Sequence, residues 1–101
     1  MEIGRLKQDG PNFVGIITTM TVEVSVQLQS LEVREGHMAP SHVVLAHGLE
    51  VGLAWPDISG GQGHYKLHVD DPCFATPLRA RIIPGGETGF KVIWTRAKWR
   101  M

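Results

Sequence analysis

Cysteine is almost missing from this chain: Cys73 stands alone. No disulfide can close within it, and that usage fits a reducing compartment, so a cytoplasmic protein is expected. Long apolar runs are missing too, so no segment reads as a membrane-spanning helix, and no membrane partner is expected. The opening MEIGRLKQDG is charged and lacks the apolar stretch of a secretory leader. Net charge is zero at neutral pH, which removes the basic excess that most nucleic-acid binders carry. Aromatics are few, at three Trp, three Phe and one Tyr. Helical periodicity is missing throughout. What is present suffices for one folded domain: 43% of the 101 residues are hydrophobic. A chain of that length buries about 60% or more of its extended surface.

In place of helical stripes the chain shows period-two alternation broken by turn residues, the pattern of an all-β domain. GRLKQDGPNFVGII reads as strand, turn and strand about Asp9-Gly10-Pro11-Asn12. In TVEVSVQL, Val22, Val24, Val26 and Leu28 share one face, and Glu23, Ser25 and Gln27 the other. The phase then slips to Leu31 and Val33, which predicts a β-bulge or bend near Gln29-Ser30. HVVLA reads as a strand buried on both sides, and His47-Gly48 as a tight turn. Leu49, Val51, Leu53 and Trp55 form the apolar set of the next strand, alternating with Glu50, Gly52 and Ala54, and Pro56 ends it. HYKLHV places Tyr65, Leu67 and Val69 inward, LRARII places Leu78, Ala80 and Ile82 inward, and FKVIWTR is the last strand. The total is about seven short, mostly antiparallel strands in a small barrel or sandwich. Residues 1–96 read as the single domain and 97–101 as a basic tail.

The zero net charge hides an asymmetry. Residues 1–77 carry four cations against nine anions; residues 78–101 carry Arg79, Arg81, Lys91, Arg96, Lys98 and Arg100 against Glu87 alone. A basic segment follows an acidic body.

Four blocks, in this order and spacing, resemble a bacterial family called domain of unknown function 736. They are GRLKQDGPNFVGIITTMTV at 4–22, LEVGLAW at 49–55, YKLHVDDPCFATPLRARI at 65–82 and FKVIWTR at 90–96. The resemblance spans roughly residues 3–96. It implies a small β-rich cytosolic protein, often carried on conjugative plasmids and other mobile elements, with no established activity. The tail AKWRM and the histidines of REGHMAPSH depart from the family pattern.

Asp70-Asp71 are adjacent, so on a strand they point to opposite faces, and Asp71 before Pro72 reads as a turn. His64 and His68 share a strand face about 13 Å apart at ~3.3 Å per residue, too far for one metal. His37 and His42 flank a proline loop and could approach each other, but no Cys or carboxylate stands at a ligand spacing; these and His47 read as surface residues, so no metal or other cofactor is expected. Cys73 has no evident base and reads as a packed thiol. SGGQG and PGGETG lie between strands, not before a helix, and read as hairpin loops rather than phosphate loops.

The basic C-terminus has the best claim. Pairing of 78–83 with 90–96 would gather Arg79, Arg81, Lys91 and Arg96 on one sheet, and Lys98, Trp99 and Arg100 would extend it. Cations that track phosphates and a ring that stacks on bases make a single-strand platform; the same surface suits an acidic protein. Lys and Arg also guard ordinary strand edges.

No nucleophile–base pair is legible, so a non-enzymatic interaction protein is expected. It would act on a host protein or nucleoprotein complex, as a defence inhibitor of anti-CRISPR or anti-restriction type would. The acidic set Glu23, Glu32, Glu35, Glu50, Asp57, Asp70 and Asp71 could imitate phosphate. The alternative is a small β-barrel that binds single-stranded DNA or RNA in plasmid transfer or maintenance. An exposed strand edge would allow a homodimer.

Overall fold

Each alternating segment forms a strand, and each strand pairs with the next along the chain. The computed structural model describes residues 1–19, 23–31, 39–71, 77–86 and 89–94. The strands are β1 (Glu2–Asp9), β2 (Asn12–Thr18), β3 (Glu23–Ser30), β4 (His42–Ala46), β5 (Leu49–Pro56), β6 (Tyr65–Val69), β7 (Leu78–Pro84) and β8 (Gly89–Ile93). All pairs are antiparallel, and β8 returns to β1 to close a barrel in sequence order. The expected count was about seven; eight form, and the barrel is the architecture. At the seam Trp94 N–H donates to the Met1 carbonyl at 2.8 Å, and the Met1 ammonium donates to the Trp94 carbonyl at 3.0 Å. Closure gives every described strand a paired neighbour on each side.

Two connections are two-residue turns. Gly10-Pro11 joins β1 to β2, and His47-Gly48 joins β4 to β5 with φ of 53° and 77°. Positive φ at both positions matches the twist of the flanking strands. The β5–β6 loop holds a short 3-10 turn at Ile58–Gly60. There the Ser59 hydroxyl donates to the Asp57 carboxylate at 2.7 Å. That bond, helped by the Lys66 charge and by the Gly60 and Ser59 N–H groups, holds the carboxyl below its ordinary range.

The alternation read in β3, β6 and β7 is correct: Val26, Leu28, Leu67, Val69, Ala80 and Ile82 are buried. Phe13, also buried, centres an aromatic cluster. Its ring lies 4.9 Å from Phe90, 5.6 Å from Tyr65 and 5.3 Å from His42. Trp94, just past β8, packs half-buried against this core.

Three local readings need correction. No bulge interrupts β3 near Gln29-Ser30, which pair in register with Val43 and His42. The irregularities lie instead between Glu2 and Gly4 of β1 and opposite Val44/Leu45, where Val51 is the extra residue of β5. β4 is buried on one side only: His42 and Val44 point inward, and Val43 and Leu45 are half-exposed.

The third correction concerns β5. The bulge keeps Val51 against the core but reverses the rest of the strand. Ala54 is fully buried, while Leu53 is 36% exposed and Trp55 lies on the outside. Close backbone approach marks this part of the wall. A Cβ on Gly52 would run into the His68 carbonyl oxygen, and one on Gly15 into that of Arg5. Strands that coil this closely need small residues on their inner face.

Candidate functional site

The closed meander brings β6, β7, β8 and β1 together as one half of the barrel wall. These four strands carry Arg5, Lys7, Lys66, Arg79, Arg81 and Lys91, with Glu2 and Asp9 as the only acids; β2 through β5 carry no Lys or Arg. Alternation sends all six cations outward, because Leu6, Leu67, Ala80, Ile82 and Val92 take the inward positions. A linear imbalance has become a basic face.

The register places like charges directly opposite one another. Lys66 faces Arg81 across β6–β7, and Arg5 faces Lys91 across β1–β8. Such pairs destabilise a sheet. Arg5 is partly answered by Glu2 at 2.8 Å, an exposed contact of small value.

On the β5–β8 part of this face runs a groove of about 350 Å³. Trp55 and Ile93 stand at its sides, with Lys66, His68, Arg79 and Arg81 between them. One cross-strand row runs Trp55, Lys66, Arg81, Ile93, and the next runs Leu53, His68, Arg79. Strands are ~4.8 Å apart, so each row holds its side chains within reach of one extended ligand. The His68 ring stands edge-to-face against Trp55, with centroids 6.5 Å apart at 76°.

Of the residues expected to bind, Arg79, Arg81 and Lys91 lie on this face; Arg96, Lys98, Trp99 and Arg100 lie outside the described residues. Sequence reasoning missed Arg5 and Lys7, which reach the face only because β1 closes on β8. It placed Lys66 and His68 on the wet side of β6 but had no register linking them to Arg79 and Arg81. It missed Trp55 because the apolar alternation of β5 pointed that ring inward.

The other candidates scatter. His42 is buried, not on the surface as expected: its ring packs at 5.4 Å from Tyr65, and burial lowers its pKa. Asp70 follows β6, where its N–H donates to the Val51 carbonyl at 2.7 Å, and Asp71 borders an apolar barrel mouth with Glu23 and His47. Asp57 is committed to its own loop. Cys73, His37, Glu32 and Glu35 lie outside the described residues. Among the described residues no group of three or more His, Cys, Asp or Glu is placed to hold a metal ion. No described helix is long and apolar enough to cross a membrane.

A family model described as "Protein of unknown function (DUF736)" matches residues 2–97. No curated protein and no solved structure matches the chain.

Proposed function

We infer that this chain, which belongs to the DUF736 family of proteins of unknown function, works by binding rather than by catalysis. It docks through the basic half of its wall on an acidic surface of a host protein or nucleoprotein complex. The setting is the bacterial cytoplasm and a mobile genetic element, and inhibition of a host defence complex, of anti-CRISPR or anti-restriction type, is the concrete form. One observation carries this reading: every described Lys and Arg lies on four contiguous strands, with two like-charged pairs opposed across the sheet. A fold that keeps such pairs forgoes local stability, which is the mark of a surface kept for a partner. Complementary charge sets encounter rate and register more than affinity.

The test compares affinity capture from host lysate by the wild-type chain, by Arg79→Glu/Arg81→Glu, and by Glu50→Lys on the other half of the wall. The expected result is one defined complex in fixed stoichiometry, lost with the arginine pair and kept with Glu50→Lys. Equal recovery by all three sinks the reading.

A second reading, direct binding of single-stranded DNA or RNA, is supported by the position of Trp55 among the cations rather than in the core.

A further inference from the structure

We propose that the groove between Trp55 and Ile93 is a subsite for one unpaired nucleotide, so that the basic face takes single-stranded nucleic acid with a base laid against Trp55. The proposal rests on the basic face being the contact surface, and it names the partner chemistry at one place on it.

An outward indole among cations offers a flat face on which a base can stack while the cations meet the phosphates. Here the indole lies in the same cross-strand row as Lys66 and Arg81. The bulge at Val51 is what turns it outward, and Ala54 takes the interior place. The His68 ring stands beside it, centroids 6.5 Å apart and planes at 76°. The groove volume, about 350 Å³, is at the low end of ligand-sized sites, ~300–1,000 Å³. It has room for one base and sugar, not for a duplex.

Phosphates have their own partners. Lys66 and Arg81 oppose each other one strand apart, and Arg79 lies one pleat away, ~7 Å along β7. A phosphate seated between two facing cations relieves their repulsion, so the pairs that cost the sheet stability become favourable once the strand is bound. Lys91 and Arg5 continue the path on β8 and β1. Base stacking beside a cationic track is the general mode of sequence-tolerant single-strand binding.

The experiment is fluorescence anisotropy on the full chain with labelled dT12, U12 and a blunt hairpin duplex, at 50 and 200 mM salt. Single strands are expected to bind more tightly than the duplex. Three to four neutralised phosphates predict a loss of about 15- to 60-fold across that salt range. Trp55→Ala is expected to weaken binding by about 5- to 150-fold, the usual worth of one stacked base, and Trp55→Phe by much less. Circular dichroism and thermal melts check that the variants are folded. If Trp55→Ala does not fold, photocrosslinking of the wild type to a 5-iodouracil-substituted strand decides, with the adduct expected on the peptide bearing Trp55. Duplex bound as well as single strand, Trp55→Ala within twofold of wild type, an adduct only elsewhere, or no binding at 50 mM salt each overturn the proposal. If the arginine-pair variant still loses a captured protein complex while oligonucleotides never bind, the docking reading stands and this inference alone fails. If neither test responds, both fail.

Discussion

His42 shows what a single position can hide. Its Nε2–H donates to the Pro11 carbonyl at 3.0 Å, which leaves Nδ1 to accept the Ser41 hydroxyl at 2.8 Å. Phe13 and Tyr65 pack against the ring. Burial opposes the imidazolium and lowers the pKa below 6.5, against a smaller upward pull from the Pro11 carbonyl. The unfolded chain then binds the proton more readily than the folded one. The stabilising contribution is complete above the unfolded value and is lost as pH falls toward the folded one. Urea melts at pH 7.5 and pH 5 should therefore show stability falling on acidification. His42→Gln should flatten that dependence relative to wild type, and equal slopes in the two proteins would refute the assignment. Phe13, beside it, is 2% exposed; Phe13→Ala should cost about 3–5 kcal/mol by denaturant titration.

β5 is the element where pattern and packing part. Its large apolar residues are Leu49, Val51, Leu53 and Trp55, yet of these only Val51 packs against the core, with the small Ala54 inside it. The extra residue at Val51 shifts the phase, and a one-residue shift exchanges the faces of everything beyond it. The exchange can be measured. Ala54→Leu should overpack the interior and cost about 1–3 kcal/mol. Leu53→Ser, at a position that the sequence pattern would bury, should stay within ~0.5 kcal/mol of wild type. The reverse ordering would restore the face read from the sequence. β2 offers a parallel case. At Gly15 any side chain meets the Arg5 carbonyl oxygen and Leu6, both held by the β1–β2 ladder. Gly15→Ala should lower the urea midpoint by the equivalent of ~1–3 kcal/mol, with Ser25→Ala on the outer face of β3 as the silent control.

Charge is a property of the whole barrel. Lys66 opposite Arg81 and Arg5 opposite Lys91 lie on one wall, so their repulsion is partly screened by salt. Moderate salt should raise the melting temperature while it weakens any partner held by that wall. Arg81→Glu puts a carboxylate opposite Lys66 and should stabilise the fold by ~0.2–1 kcal/mol while reducing binding. A variant that gains stability and loses its partner would be direct support for a surface kept at a structural cost. A loss of stability would count against the register on which the argument depends.

Alternation alone determined the all-β class, the wet and dry faces of β3, β6 and β7, and the turns at Gly10-Pro11 and His47-Gly48. These are local choices, set by side-chain period and by backbone dihedral preference. The outward set of the candidate site was legible as far as Arg79, Arg81 and Lys91, because each strand carries its own period. Closure of β1 on β8 was not legible, because it depends on contacts between the two ends of the chain. That contact alone brings Arg5 and Lys7 to the basic wall. The outward turn of Trp55 was not legible either. It follows from the extra residue at Val51 in the β4–β5 pairing, and register is settled by contacts between strands. Hydrophobicity argued for Trp55 inside and Ala54 outside, but the phase shift at Val51 puts Ala54 in the core and Trp55 on the outer wall.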